Sequence, residues 1–228
     1  MNRIARRFRR ALLGIVLLAL FWHLWVLGNV LVWTVVPVTG TSFMRQRAVE
    51  SDLTVIPEQH WVRYEDIAEP VIRAVIAAED DRFMAHNGFD WKAMRRAFDR
   101  NRQAGGAVAG GSTISQQLAK NLFLSSSRSY LRKAEEALIT VALETFWSKR
   151  RIIEVYLNVV EWGEGIFGIG AAAQHYYRLP PQALNAADAA HLAVMLPNPR
   201  RYEERFTPRL HEHASRVRHR MNKSEIPE

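Results

Sequence analysis

From Ala11 to Val36 the chain runs for 26 residues without an Asp, Glu, Lys or Arg. As a helix rising about 1.5 Å per residue, this stretch would be roughly 39 Å long, enough to cross a hydrocarbon core of about 30 Å with some tilt. Arg3, Arg6, Arg7, Arg9 and Arg10 precede it, and no acidic residue occurs before Glu50. Cations clustered on one flank hold that flank in the cytoplasm. The sequence therefore predicts a basic cytoplasmic arm over residues 1–10, a transmembrane helix over 11–36, and everything after Val38 on the outer face. Trp22, Trp25 and Trp33 suit either interfacial anchoring or helix packing. The alternative is a cleaved signal sequence, whose apolar region is usually about 7–15 residues long and ends in a small-x-small site. No convincing site of that kind precedes Pro37. His23 and Asn29 inside the run are expected as tolerated polar groups or helix contacts rather than a proton path.

The arginine arm also explains the charge. Taking its five cations from the 31 basic residues leaves 26 against 23 acidic, so the body carries only +3 of the total +8. A nucleic-acid binder would place a basic stripe interleaved with stacking aromatics on the body itself, so nucleic acid is not an expected partner. At 228 residues the chain has room for one well-filled domain beyond the anchor, but not for two large enzymatic domains. It has no cysteine, which excludes a disulfide framework, thiolate zinc sites and a cysteine nucleophile.

Beyond the span the pattern is helical. Residues 37–66 look extended, with Pro37, Gly40 and Pro57 and an alternation at Leu53-Thr54-Val55-Ile56, which predicts a connector over 37–60 with a short strand or hairpin. Val71, Ile72, Val75 and Ile76 recur at the spacing that buries one helix face, and Pro70 sits in the first turn of that helix, which should run into Glu79. Asp90 is an N-cap for Trp91 to Arg100. The glycine-rich stretch 103–111 predicts a mobile loop; it lacks the G-x-x-x-x-G-K-[ST] pattern and no strand leads into it. Thr113 and Gln116 form a capping-box pair opening the next helix, with Ile114, Leu118 and Leu122 on one face and Gln116 and Lys120 on the other. Further helices are predicted over Tyr130 to Phe146, Lys149 to Asn158, Gly170 to Tyr177 and Ala186 to Met195, the last stopped by Pro197 and Pro199. Residues 206–228 form a His- and Arg-rich tail, expected as at most a surface helix.

Four segments are more polar and specific than packing alone requires. Glu79-Asp80-Asp81 places three acids at the end of an apolar helix, where a half-desolvated carboxylate gains a raised pKa suited to proton transfer. Ordinary capping acids would give the same spacing. Gly111 to Leu124 combines a helix N-terminus with Ser112, Gln117 and Lys120, able to hold an anion or a sugar, although an amphipathic helix would also carry such a face. Arg128, Arg132 and Lys133 cluster near Glu135 and Glu136, suited to a pyrophosphate or to plain surface ion pairs. The segment from Ser148 to Tyr177 holds small residues at 168, 170, 171, 172 and 173, which signal close helix approach. His86 and His175 lack partners at ligand spacing and are expected to be structural.

Taken in this order, Glu79–Asp90, Gly111–Leu124, Arg128–Ala137 and Ser148–Tyr177 resemble the signature motifs of the peptidoglycan glycosyltransferases of glycosyltransferase family 51. Ala189-Ala190-His191-Leu192-Ala193-Val194-Met195-Leu196-Pro197-Asn198-Pro199 suggests the fifth. The resemblance covers roughly residues 60 to 202, and the chain, without room for a transpeptidase domain, is similar to the monofunctional members. It implies a mainly α, lysozyme-like glycosyltransferase domain, assigned here to 61–205, with a small membrane-proximal lobe. It also implies a bacterial inner-membrane protein with its catalytic domain on the periplasmic side. The implied reaction polymerises lipid II into glycan strands, with inversion and release of undecaprenyl pyrophosphate. Partners would be lipid II, the growing lipid-linked glycan, the membrane and other cell-wall synthesis proteins.

The resemblance assigns Glu79 as general base toward the acceptor hydroxyl and Glu136 as the second carboxylate, orienting cations around the pyrophosphate. Lys120, Arg128 and Arg132 would stabilise the developing negative charge; Ser112 and Gln117 would hold the donor. No protein metal site is expected, and a divalent magnesium or manganese ion at the pyrophosphate is an alternative source of charge. Asp80 is expected to stabilise local geometry. Ser115 stands where the family commonly has Thr, and Glu135 where a neutral residue is frequent. A lytic glycosidase would share the fold and one glutamate, but it has no pyrophosphate for the cations to hold. A catalytically silent scaffold acting through the membrane helix is the other alternative.

Overall fold

The computed structural model describes residues 3–50, 60–106, 110–127 and 129–228. The alternation at Leu53–Ile56, the centre of the glycine-rich loop and Arg128 lie outside them. The chain divides into two compact units, residues 1–36 and 37–228. The first is helix α1 (Arg3–Val32), whose stretch from Arg6 to Val32 is long and apolar enough to cross a membrane. Its large side chains point outward, Leu18 at 71% and Phe21 at 70% exposed, an arrangement water disfavours and lipid does not. The polar residues in the span bond to their own helix. His23 Nδ1 lies 2.7 Å from Ala19 O, and Asn29 Nδ2 donates to Trp25 O at 2.8 Å. Each thus bonds to a carbonyl one turn back on its own helix.

Among the described residues, the second unit is helical apart from one short hairpin. Its elements begin with α2 (Ser42–Glu50), α3 (Glu69–Glu79), α4 (Trp91–Gln103), α5 (Ile114–Phe123), α6 (Tyr130–Phe146) and α7 (Lys149–Val159). The hairpin β1 (Glu161–Gly163) and β2 (Ile166–Phe167) follows, then α8 (Ile169–Tyr177), α9 (Ala186–Met195), α10 (Pro199–Glu204) and α11 (Pro208–Arg220). The extended connector expected over 37–60 is corrected in its first half. Residues 42–50 are helical, begun by Thr41 Oγ1 accepting from Met44 N at 3.0 Å, and α2 packs on α5.

One layer of the core joins α3, α9 and α11. Val71, Ile72, Val75 and Ile76 of α3 and Leu192, Val194 and Met195 of α9 are buried, as the 3.6-residue periodicity requires. Helix α11 lies against both, with Leu210 and Val217 buried, so residues 206–228 are part of the packed body rather than a loose tail. Arg220 donates to Ala77 O at 2.8 Å and Tyr64 Oη to Pro227 O at 2.6 Å, tying the C-terminal segment to α3 and to its approach. The other layer joins α5, α6 and α7, with Ile114, Leu118, Leu122, Ile139, Leu143, Ile152 and Ile153 buried between them.

Two of the small residues of 168–173, Gly168 and Gly170, stand close against backbone. Gly168 has φ +81°, and a Cβ there would stand 2.7 Å from Asn158 O; one at Gly170 would stand 3.1 Å from His60 O. Asn158 fixes that incoming strand of backbone by pairing with Val62 twice, accepting from its N–H and donating to its carbonyl, each at 2.8 Å. Gly168→Ala should therefore lower unfolding free energy by about 2 kcal/mol or more, through strain and a backbone clash together. Gly165→Ala has a similar φ of +69° but open space, and should cost less. Thermal unfolding of the two detergent-solubilised variants checks the order.

Candidate functional site

Asp80 is the last link between two helix ends. It follows α3 directly and is buried, and its two oxygens are both used: Oδ2 accepts from Ile114 N at 3.0 Å, and Oδ1 meets His86 Nε2 at 2.8 Å. Ile114 N is one of the first-turn donors of α5 that no helix carbonyl can reach, so a buried carboxylate there is both satisfied and electrostatically favoured. Thr113 completes the same terminus. Its side chain accepts from Gln116 N at 3.2 Å and donates to Gly88 O at 2.6 Å, while Gln116 Oε1 accepts from Thr113 N at 3.0 Å. Gln116, expected on the polar face with Lys120, is therefore turned back and buried in the capping box.

With the helix ends locked, Glu79 meets the second turn of α5. Gln117 Nε2 donates to Glu79 Oε2 at 2.7 Å, and Gln117 Oε1 accepts from Tyr156 Oη at 3.0 Å. The amide is thus read from both sides, nitrogen toward the carboxylate and oxygen toward the phenol. Glu79 is half-buried, and burial raises its carboxyl above the ordinary range of about 4.5; Gln117 opposes this, Asp80 adds to it and Lys120 opposes it. Tyr156 is fully buried on α7. Burial, then Glu79 and Asp80, push its phenol well above its usual value, so it remains a donor.

Glu136 is the opposite case. It is 3% exposed on α6, and both its oxygens are taken by cations from the same helix, Arg132 Nη1 at 2.7 Å on Oε2 and Lys133 Nζ on Oε1. Spacings of three and four residues put both cations on its face. Lys133 Nζ also lies 3.4 Å from Ser112 Oγ, which is how Ser112 joins the group. Lys120 is half-buried, and no hydrogen bond or ion pair holds its ammonium among the described residues. Its pKa is lowered first by burial, while Glu136 pulls it up and Arg132, Lys133 and Arg47 push it down. Its nearest ring is Phe43 of α2, 6.0 Å from Nζ, which Arg47 approaches to 4.8 Å from the same helix. Arg47 is in turn held by buried Glu161 at 3.1 Å, which Arg200 also meets at 3.1 Å.

The structure thus brings Glu79 to Gln117, and Glu136 to Arg132 with Ser112 nearby. Lys120 is coupled electrostatically to both carboxylates. Sequence reasoning placed Lys133 in the cationic cluster but gave it no role of its own, although its three-residue offset from Glu136 was legible. It missed Tyr156, whose place in the apolar run of α7 looks like core, and Arg47 and Phe43, which lie in the stretch taken as extended. His86 is engaged by Asp80, and His175 lies 3.1 Å from Glu203. Among the described residues no group of three or more His, Asp or Glu could hold a metal ion.

A transglycosylase family model matches residues 49–223, more than half the chain and all of the segments above. The chain belongs to the transglycosylase family, the peptidoglycan glycosyltransferases. It is 55% identical to the biosynthetic peptidoglycan transglycosylase of Azoarcus sp. (strain BH72), with all of both chains covered. It is 56% identical to that of Aromatoleum aromaticum over 96% of each, and 51% identical to that of Dechloromonas aromatica over 89% of each.

In this transglycosylase the raised Glu79 carboxyl has a consequence for stability. Between the ordinary carboxylate value and its raised native value, the folded chain keeps a proton that the unfolded chain has released. Stability attributable to Glu79 therefore falls as pH rises through that window. Glu79→Gln should unfold at a higher temperature than the wild type at pH 7.5, and this advantage should vanish below the ordinary carboxylate range. Melting curves of both proteins at the two pH values check it.

Proposed function

We propose that this glycosyltransferase polymerises lipid II, joining the anomeric carbon of a lipid-pyrophosphate donor to the 4-hydroxyl of an acceptor sugar with inversion. Glu79 is the base. The observation that carries this reading is the pairing of Glu79 with a single amide donor inside a partly desolvated helix junction. A carboxylate with one oxygen left for substrate and a raised proton affinity can take a hydroxyl proton as the new bond forms. Gln117 then orients the carboxylate, and Tyr156 holds the Gln117 amide in the one sense that presents N–H to it.

The bond to pyrophosphate breaks as the acceptor oxygen attacks, and the electron pair leaves on the phosphate oxygen. This leaving group needs positive charge more than a proton. Lys120, with its ammonium uncommitted, and Arg132 and Lys133, presented by Glu136, supply that charge in the proposed mechanism. Arg128 belongs with them by its place in the motif. Ser112, beside Lys133, is positioned to accept or donate to the donor's phosphate or sugar. A divalent ion fits poorly as a resident group, because both Glu136 oxygens already accept from cations and, among the described residues, no other ligand cluster accompanies them. The mechanism takes no step through one.

Helix α1 supports single-pass anchoring in the bacterial inner membrane, with the arginine arm cytoplasmic and the enzyme periplasmic. Exposed apolar residues on α4 and α6, Trp91, Phe98, Tyr130, Leu131 and Leu138, suit a bilayer-side surface from which lipid tails enter. Lipid II and the growing strand are then the partners, with other wall-synthesis proteins sharing the membrane.

Polymerisation of lipid-linked precursor tests the reading. Glu79→Gln should lower the rate by about 10²–10⁴-fold with folding retained; release of soluble fragments from finished glycan without chain growth would replace synthesis by lysis. The pH profile adds a second measurement. Because the base works only when deprotonated, the acid limb of kcat/KM should lie above the ordinary carboxylate range. Gln117→Leu removes the hydrogen bond that pulls the Glu79 pKa down, so the limb should move to higher pH. The activity of that variant should be lost most at the acid end and recovered in part at the alkaline end.

A further inference from the structure

The C-terminal helices enclose a cavity of about 620 Å³ that the glycosyltransfer site does not use. Its walls come from the end of α9, from α10 and the turn after it, and from α11, and none of these carries Glu79, Lys120 or Glu136. Four arginines line it, Arg201, Arg205, Arg209 and Arg216, together with His213 and Tyr202, and no carboxylate does. Among the described residues Arg201, Arg205 and Arg209 meet no carboxylate at ion-pair distance. Arg216 has only Glu212 at 3.9 Å, with both side chains exposed.

A surface that serves solubility alone intersperses the two signs and uses lysine as readily as arginine. Here cations of one kind converge on a concavity, where low-dielectric walls concentrate the field. The nearby Glu203 turns its oxygens elsewhere, accepting from Glu164 N at 2.7 Å and meeting His175 at 3.1 Å, and does not line the basin. The positive potential is felt inside: His213 is pushed below its ordinary value first by burial and then by Arg216, Arg220 and Arg209. Guanidinium forks match tetrahedral oxyanions in pairs, a geometry that an ammonium does not offer. We infer that the cavity bounded by Arg201, Arg205, Arg209 and Arg216 is a second anion site, which takes the phosphoryl group of a phosphate ester. A lipid headgroup or a soluble phosphate ester would present the same chemistry.

Full-length protein in non-ionic detergent at low ionic strength is titrated calorimetrically with glycerol 3-phosphate and, separately, with dihexanoyl phosphatidic acid. Saturable binding is expected, weakened at least tenfold in the double variant Arg205→Gln/Arg209→Gln and less in Arg205→Lys/Arg209→Lys, which keeps charge and loses the fork. The charge-matched double variant Arg95→Gln/Arg96→Gln on α4 should bind as wild type. Equal affinity for the two probes assigns the site to soluble phosphate esters, and tenfold tighter binding of the lipid assigns it to headgroups. Binding that never saturates overturns the proposal, as does equal weakening by the α4 variant. Loss of binding in Lys120→Met but not in the Arg205/Arg209 variants would assign the anion to the glycosyltransfer site and also overturn it. The lysine double variant keeps the test valid if the glutamine variant does not fold.

Discussion

One buried carboxylate decides where the chemistry can be. Asp80 leaves α3 and closes the start of α5 by accepting from Ile114 N, while its other oxygen takes His86. The donor at the α5 N-terminus lacks an intrahelical partner, and the Asp80 carboxylate satisfies it while His86 occupies its other oxygen. The junction also fixes the angle and register between the two helices. Gln117, four residues after Thr113, then comes within 2.7 Å of Glu79. Glu79 is therefore positioned by its immediate neighbour in sequence, acting across space. A loop could not set that separation without the same two anchors.

Two glutamates on different helices show how environment sets a carboxylate's character. Glu136 is almost wholly buried and holds a cation on each oxygen, so its charge is matched within its own helix. Glu79 has one neutral donor, a nearby like charge in Asp80, and burial raises its proton affinity. Removing a partner from Glu136 would leave buried charge uncompensated. Leaving Glu79 under-partnered costs stability, and this is the cost a proton acceptor must carry if it is to exchange its proton during turnover. The same residue type is charge-matched in one place and raised in proton affinity in the other because of what was placed beside it.

Helices α3, α6 and α9 were legible because each pairs a long apolar periodicity with a local start or stop signal; the Thr113–Gln116 box and the Asp90 cap carry their own geometry. Helix α2 was not legible. Nine residues with three charges show no convincing apolar stripe, and the helix rests on packing against α5 and on the Arg47–Glu161 pair, whose members lie 114 positions apart. The hairpin was missed because strands of three and two residues are too short to show a period. Of the candidate site, Glu79, Gln117, Lys120 and Glu136 were named from the ordered motifs, and the structure brings Gln117 to Glu79 and couples Lys120 electrostatically to both carboxylates. Tyr156 was not, since a phenol among buried aliphatics on α7 announces nothing until its partner across the helix interface is known.

Net charge behaves in the same way. A body total of +3 suggested that the cations outside the anchor were evenly balanced. Yet residues 199–220 hold seven arginines against three glutamates, and α10 and α11 fold most of those arginines around a single cavity. The balancing acids are concentrated elsewhere, as at Glu79–Asp81 and along α6. Summation over the chain averages a field that matters only over distances of about a Debye length, roughly 8–10 Å at moderate salt. It is the packing of α11 on α9 and α3, through Leu210 and Val217, that turns a polar C-terminal sequence into a concentrated positive basin. The apolar residues of that segment thus determine what its charges can do.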